Sequence, residues 1–220
     1  MAQQNLSQKL SYIYQCLLDK YGPQHWWPAE SRFEMMTGAV LTQSAAWTNV
    51  EKAISRLKEA GLLSPEAIMK ADDDALAEAI RPSGYFNVKT RKLKALAAWL
   101  VAGYNGQADK LLPAETDALR QELLGVWGIG EETADSILLY ACGKPVFVID
   151  AYTRRIFSRL GLAERDAGYD RLQRLFTANL AADAAVFNEY HALIVRHAKE
   201  HCRVKPVCQG CVLKTICGFN

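Results

Sequence analysis

Apolar residues recur with a helical period over most of the 220-residue chain. Between residues 5 and 21, Leu6, Leu10, Ile13 and Leu17 lie three or four positions apart, which is the spacing of one helix face. Similar patterns predict further helices over 32–42, 46–60, 65–71, 73–80, 87–104, 116–124, 131–143, 151–161, 168–181 and 183–200. No convincing run has the period of two that a half-buried strand requires, so the pattern predicts an all-α fold.

Composition and charge restrict the possible partners and location of the protein only slightly. Half of the residues (50%) are apolar, and the formal net charge is +2, so a nucleic-acid surface would have to come from local clustering. The N-terminal residues do not form a secretory signal, and no uninterrupted apolar stretch of about 18 residues predicts a membrane span. We therefore expect a cytoplasmic, nucleoid-associated protein with no membrane partner.

Four of the six cysteines crowd into the C-terminal segment with the spacing Cys202-x5-Cys208-x2-Cys211-x5-Cys217. Such a cluster in a cytosolic chain indicates metal ligands rather than disulfides. Thiolates suit zinc and iron–sulfur clusters alike, and the spacing alone does not choose between them. Cys16 and Cys142 are isolated in apolar segments, where free cysteines behave as small hydrophobic residues.

Residues 124–134 predict a tight hairpin between two helices. Gly128 and Gly130 frame Ile129, and the second helix begins directly afterwards. Glycine tolerates a positive φ, and the free amides of a helix start attract an anion such as a DNA phosphate. An ordinary corner between helices would also explain two glycines.

Three other features allow both a structural and a functional interpretation. Asp150 precedes a predicted helix, so it is either a helix cap alone or a reactive carboxylate as well. Trp26 and Trp27 lie side by side in a connector with Pro28, where flat rings suit a core or a flipped base. The stretch from Arg81 to Ala98 is basic without any acid, which is typical of a solvated helix face or of a DNA-binding edge. Its five basic residues are Arg81, Lys89, Arg91, Lys92 and Lys94.

These motifs together resemble one known family. Leu124 to Gly130, Thr133-Ala134 and Val148-Ile149-Asp150 are similar to the helix-hairpin-helix, Gly/Pro-rich, aspartate DNA glycosylases, whose type member is endonuclease III. The resemblance covers most of the chain and implies two helical lobes with DNA bound between them. One lobe is expected over 32–145, with the hairpin at about 118–143, and the other over 1–31 plus 146–220.

The resemblance also assigns site residues. It implies that Asp150 is catalytic and that the four cysteines hold a [4Fe–4S] cluster, although the family's first gap is usually one residue longer. Gln43 matches the position that probes DNA opposite the lesion, and Tyr85 lies in the matching wedge loop. The implied DNA-binding residues are Gln43, Tyr85, Gly128, Gly130 and Thr133.

A narrower resemblance concerns the substrate. Trp26-Trp27-Pro28, Arg81 to Gly84, Glu132 and Asp150 together resemble the endonuclease III-like 3-methyladenine DNA glycosylases. In that subgroup an aromatic at the Trp47 position helps to sandwich the base, so the implied base pocket contains Trp26, Trp27, Pro28, Trp47 and Glu132. Glu132 stands where bifunctional members carry a lysine, and a carboxylate cannot form the Schiff base of lyase chemistry.

The sequence therefore predicts a monomeric, monofunctional glycosylase of base excision repair that removes alkylated purines such as 3-methyladenine from double-stranded DNA. Within the enzyme class, a pyrimidine or mismatch glycosylase and a bifunctional lyase using another amine stay open. From another class, a non-catalytic DNA-binding module with Asp150 as a mere cap stays open.

Overall fold

The computed structural model describes residues 5–219, and within that range all regular structure is helical. The α-helices are α1 Leu6–Tyr21, α2 Arg32–Leu41, α3 Trp47–Glu59, α4 Pro65–Lys70, α5 Asp73–Ile80, α6 Phe86–Tyr104, α7 Thr116–Gly125, α8 Glu131–Ser136, α9 Ala151–Arg159, α10 Tyr169–Thr177 and α11 Ala184–Glu200. The all-α prediction is confirmed.

The chain divides into two compact units. Positions up to Trp26 together with those from Pro145 onward form the first unit, which contains α1 and α9 to α11. The second unit is Trp27–Lys144, which contains α2 to α8. The division falls between the two adjacent tryptophans of the connector.

An aromatic cluster forms the core of the first unit. Phe147 and Phe176 stack with ring centroids 3.7 Å apart, and Phe157 and Tyr190 pack against them edge-on. The buried hydroxyl of Tyr190 donates to the carbonyl oxygen of Leu10 at 2.9 Å, so the phenol finds a partner in the core. This bond joins α11 to α1, from opposite ends of the sequence.

Helix α8 is shorter than the sequence pattern predicts. The predicted helix over 131–143 is α-helical only as far as Ser136 and then widens into a π-helical turn, Ile137–Ala141. The amide of Cys142 donates to the carbonyl of Ile137, five residues back, at 3.1 Å. The turn is apolar and buried, with Ile137, Leu138 and Leu139 at most 2% exposed.

The hairpin between α7 and α8 needs its first glycine for two reasons. Gly128 has φ +84°, a backbone conformation that residues with a side chain rarely adopt. A Cβ at this position would also lie 2.5 Å from Cγ of Lys92, because the Lys92 stem of α6 crosses directly over it. Gly130 has φ −101° with open space around it, so a positive φ is not required there.

A buried ion pair holds the two arms of the hairpin together. Arg120 of α7 donates through Nε and Nη2 to the two carboxylate oxygens of Asp135 of α8, at 2.7 and 3.2 Å. The Asp135 side chain is fully buried and that of Arg120 is 17% exposed. The fork of the guanidinium matches the carboxylate, which fixes the angle between the arms.

We predict that Arg120→Met lowers the free energy of unfolding by about 3 kcal/mol, because it leaves the buried Asp135 charge without its guanidinium. Arg171→Met is the matched control. Arg171 makes a similar two-pronged pair with Glu164, but both side chains are mostly exposed, at 63% and 60%. The control should cost less than about 1 kcal/mol in the same urea titration. Equal losses in the two variants would contradict this account of the hairpin.

Candidate functional site

Asp150 is held at the start of α9 by two groups. Its Oδ1 accepts the amide of Thr153 at 2.6 Å, so it caps the helix as the sequence predicts. Its Oδ2 lies 3.6 Å from Nε2 of His191 on α11. Only 12% of the Asp150 side chain and 7% of the His191 side chain are exposed. The carboxylate is thus fixed in position and largely shielded from water.

The surroundings of Asp150 keep it ionised. Burial on its own raises the pKa of the carboxyl, but the attraction of His191 and the hydrogen bond from Thr153 outweigh burial and lower the pKa below its usual range. A negative charge in a partly dry pocket acts strongly on any positive charge that develops nearby. Asp150 therefore has the properties of an electrostatic catalyst.

Trp26 belongs to the same cluster. Its ring stacks on His191 with centroids 6.1 Å apart and an interplanar angle of 28°. Sequence reasoning missed His191, because a histidine on the apolar face of a helix resembles any core histidine. No motif links it to Asp150, and only the packing of α11 against α9 brings the two residues together.

Trp27 is placed differently from its neighbour. It lies in the second unit, where its ring meets Trp47 edge-on at 5.0 Å and Tyr140 at 5.3 Å. A Cβ on Gly38 would come within 3.2 Å of the Trp27 indole, so that glycine makes room for the ring. Trp27 and Trp47 are thus brought together, with Tyr140 as a partner that the sequence did not reveal.

Pro28 and Glu132, the other two residues of the predicted base pocket, are at the surface of the second unit. Pro28 is exposed beside Trp27, and Glu132 is exposed in the first turn of α8. An acid at that position is favoured by the helix dipole whatever else it does.

Gln43 is bonded to the hairpin. Its Nε2 donates to Oγ1 of Thr133 at 2.9 Å and to the carbonyl of Gly128 at 3.2 Å. Its Oε1 accepts from the ammonium of Lys92. Thr133 is buried, so the Gln43 and Thr133 side chains are bonded to each other within the protein.

Tyr85 is the aromatic residue among the predicted DNA-binding residues, and its side chain is exposed. It precedes α6 with φ +47°, in the left-handed region, and 72% of its surface is exposed. An aromatic in this conformation is uncommon, and strained backbone of this kind clusters at functional sites.

The predicted basic edge is wrong for Lys89. This side chain is 2% exposed, and its ammonium donates to the carbonyls of Leu41 and Ser83 at 2.8 and 2.6 Å. Burial, helped by the charge of Lys92, lowers the pKa of Lys89 to about 8. Helical spacing turns Lys89 inward, where it joins the end of α2 to the turn before α6.

Two further basic residues of that edge are paired with acids. Arg81 forms an ion pair with Glu78 at 2.6 Å, and Lys94 forms one with Asp73. Arg91 and Lys92 are the members that lie against the hairpin.

The four clustered cysteines line one cavity of about 130 Å³. Arg159 donates to Sγ of Cys202 at 3.2 Å, and His197 Nε2 lies 3.6 Å from Sγ of Cys211. Burial raises the pKa of Cys211, the hydrogen bond from the Leu213 backbone partly offsets this rise, and the three neighbouring cysteines add to it. Within residues 5–219 no three His, Cys, Asp or Glu side chains are placed closely enough to hold a metal ion as they stand. The donor set, four sulfurs around one cavity, still fits a thiophilic centre.

Among the residues that the structure describes, no helix combines the length and the apolar character needed to cross a membrane.

Known proteins show clear similarity to this chain. Residues 37–181 match the family described as HhH-GPD superfamily base excision DNA repair protein. A protein of Methanocaldococcus jannaschii that carries the provisional name DNA repair glycosylase is 46% identical over 97% of this chain and 98% of its own length.

Solved structures agree with the sequence match. The 3-methyladenine DNA glycosylase MagIII of H. pylori, bound to 1,N6-ethenoadenine, is 30% identical, with TM-score 0.74 over 89% of this chain and 98% of its own. An endonuclease III in a trapped covalent intermediate with DNA is 23% identical, with TM-score 0.83 over 97% and 96% of the two chains, and shares the fold. The chain belongs to the HhH-GPD superfamily of base excision DNA repair proteins and is a DNA glycosylase of the endonuclease III-like type.

Proposed function

We propose that the protein is a monofunctional DNA glycosylase that hydrolyses the bond between deoxyribose and an alkylated purine such as 3-methyladenine in double-stranded DNA. The observation that carries the proposal is the buried, ionised carboxylate of Asp150 between the Thr153 amide and His191. The proposal includes a single chain acting as a monomer.

Asp150 suits the charge changes of this reaction. As the glycosidic bond breaks, its electron pair leaves with the base and positive charge develops on the sugar. A fixed carboxylate stabilises that charge and accepts a proton from the water whose oxygen bonds to the sugar carbon. A purine alkylated on a ring nitrogen carries a positive charge and departs as a neutral base, so no separate acid is needed.

The aromatic residues support an alkylated purine as the substrate. Trp27 and Trp47 meet edge-on, and electron-rich rings attract a cationic base by about 0.5–2 kcal/mol. The H. pylori structure, which covers almost all of both chains, is of a 3-methyladenine glycosylase. In this proposal Asp150 cleaves, while Trp26, Trp27, Pro28, Trp47 and Glu132 recognise the base.

Glu132 supports hydrolysis without strand cleavage. It follows Gly130 by two positions, where a lyase of this family would carry its lysine. The buried lysine of the same unit, Lys89, donates to two carbonyl oxygens and is 2% exposed, so its amine is not presented as a substitute nucleophile. Water is then the nucleophile.

Cys202, Cys208, Cys211 and Cys217 are proposed as the ligands of a [4Fe–4S] cluster. When bound, the cluster supplies a rigid cross-link for the C-terminal segment. Arg159 supports that segment independently, since it donates to the carbonyls of Arg203 and Val204 at 2.7 and 2.9 Å. The proposed DNA-binding residues Gln43, Tyr85, Gly128, Gly130 and Thr133 all lie in the second unit.

The main test is release of base from duplex DNA containing 3-methyladenine. Asp150→Asn keeps a capping oxygen and removes the charge, so release should fall by about a hundredfold or more while duplex binding persists. Asp183→Asn is the matched control, because Asp183 caps α11 of the same unit in the same way. Wild-type release by Asp150→Asn would leave Asp150 as a cap alone.

The same assay distinguishes the preference for a particular base from glycosylase activity in general. Trp27→Ala should slow 3-methyladenine release about tenfold or more through lost stacking, which is worth about 1–3 kcal/mol per base. Trp99→Ala, which removes a ring that packs on Tyr104 of the same helix, should have little effect. If Asp150→Asn abolishes release of some other base while Trp27→Ala handles alkylated purines normally, the protein is a glycosylase with a different substrate.

Borohydride should trap no covalent complex between the protein and DNA that contains an abasic site. The physical reason is that Glu132 cannot form a Schiff base. Glu132→Lys, which restores an amine at that position, provides the positive comparison. Efficient trapping by the unaltered protein would show that another amine is the nucleophile and that the enzyme is bifunctional.

The purified protein should contain about four iron atoms per chain and absorb broadly in the visible range, as thiolate-bound iron–sulfur clusters do. Cys208→Ser should lose iron and colour, whereas Cys16→Ser, which changes a cysteine of α1 outside the cavity, should keep both. Iron and acid-labile sulfide analysis measures this directly. A colourless protein with one zinc ion would contradict the cluster.

A further inference from the structure

His197 of α11 is a buried histidine with a polar partner on each side of its ring. The residue is 1% exposed. Its Nδ1 lies 2.9 Å from the hydroxyl oxygen of Tyr21, the last residue of α1. Its Nε2 lies 3.6 Å from Sγ of Cys211, one of the four proposed cluster ligands. The ring therefore forms a bridge from α1, through α11, to the segment that holds the cysteines.

The backbone of His197 is bonded to the same segment. Its carbonyl oxygen accepts the amide of Cys202 at 3.0 Å and the amide of His201 at 2.9 Å. The residue thus contacts the cysteine segment at two separate points, through its carbonyl oxygen at Cys202 and through its ring at Cys211. Because these contacts and burial restrict the ring, each of its two nitrogens has one fixed neighbour.

The chemistry of a ligating cysteine decides which ring nitrogen carries a proton. A cysteine that binds a metal is a thiolate, so its sulfur can only accept a hydrogen bond. An unprotonated Nε2 would place two lone pairs against each other, whereas Nε2–H donates to the sulfur. Nδ1 of the neutral ring is then an acceptor, and the Tyr21 hydroxyl is its donor. A doubly protonated ring would also present Nε2–H to Cys211, so the donor to the sulfur is the same in both states.

Two other side chains near the cysteines have different roles. His201 also lines the cavity, but its Nδ1 contacts the carbonyl oxygen of Val207 at 3.0 Å, so that nitrogen is the protonated one. Arg159 donates to Sγ of Cys202 at 3.2 Å, from the end of α9. His197 is thus the histidine whose ring offers its proton to a ligating sulfur, and it does so from a buried position.

We propose that His197 donates a hydrogen bond from Nε2 to the sulfur of Cys211 in the cluster-loaded protein, and that Tyr21 is a positioning residue that fixes the ring tautomer. The inference rests on the proposed assignment of Cys211 as a cluster ligand. Hydrogen bonds to the ligating sulfurs help to set the reduction potential of an iron–sulfur cluster. An N–H group beside the sulfur stabilises the more negative, reduced state, so it raises the potential. It also occupies a lone pair that a proton would take when the ligand is lost.

The donor is tested on protein purified with its cluster. The rate at which iron passes to an excess of chelator is measured from the loss of visible absorbance, and the midpoint potential is measured by voltammetry of the adsorbed protein. His197→Phe keeps a ring and removes the donor. It should release iron about tenfold faster, and its potential should become more negative. His197→Gln places an amide N–H near the position of Nε2, so it should recover most of both losses.

Tyr21→Phe removes only the hydroxyl that fixes the tautomer. Iron release should become about threefold faster, and the potential should shift in the same direction by a smaller amount, because the Nε2–H form is no longer selected. Tyr14→Phe removes a hydroxyl from the same helix, and His25→Phe replaces an exposed histidine outside the cysteine cavity. Both controls should match the unaltered protein. Thermal unfolding of each variant verifies that the fold is intact.

Two results would overturn the proposal. One is that His197→Phe releases iron as slowly as the unaltered protein at an unchanged potential. The other is that His197→Gln behaves like His197→Phe, because ring packing rather than the N–H group would then explain the effect. If His197→Phe does not fold, unchanged iron release and potential in Tyr21→Phe overturn it instead. Failure of the cluster assignment is recognised separately, since the unaltered protein would then contain no iron, and this inference would fall with it.

Discussion

The proposed chemistry depends on the contacts that hold Asp150, namely the Thr153 amide and His191. Without His191 and the Thr153 amide, burial would favour the protonated carboxyl, which could not stabilise a positive sugar. The cap also connects the group to α9 as a whole, so its position is set by a helix rather than by a flexible loop. In the proposed reaction, one carboxylate thus serves both as a helix cap and as the catalytic group.

A second constraint operates in the hairpin. Gly128 leaves space for the Lys92 stem, and the Lys92 ammonium in turn fixes the Gln43 amide against Thr133. Arg120 and Asp135 hold the arms in register beneath this arrangement. The hairpin is therefore a joint of three elements, α6, α7 and α8, and not a local motif that could act alone. Lys92 comes from α6, and the ion pair joins α7 to α8.

Much of the fold was predictable because helical periodicity is a local property. Helix α6 was predicted over 87–104 and is found over 86–104, and the cap at Asp150 followed from residue type and position. The π-helical turn after Ser136 was not predictable, since three buried apolar residues in a row fit a continuing helix equally well. Lys89 was misjudged for a related reason. Composition marked the segment as basic, but only the helical phase shows which lysine points inward.

The partners of the candidate site were harder to predict than the residues themselves. His191 and Tyr140 are separated from Asp150 and Trp27 by long stretches of sequence, and each looks like an ordinary core residue. Periodicity identifies a buried face but not what that face meets. Trp127 illustrates the opposite case, because its place at a hairpin tip was visible in the sequence while its exposure and the arginine of α6 beside it were not.

The hydrogen bonds of Gln43 set the cost of moving its side chain. Both N–H groups of the amide are committed to Gly128 and Thr133, and Lys92 occupies one side of its oxygen. Turning the whole amide outward would break both donor bonds, each worth about 1 kcal/mol net, together with the contact to Lys92. Any group that draws the amide away from the hairpin therefore has to offer equivalent hydrogen bonds in return, and without one the side chain keeps a single preferred position.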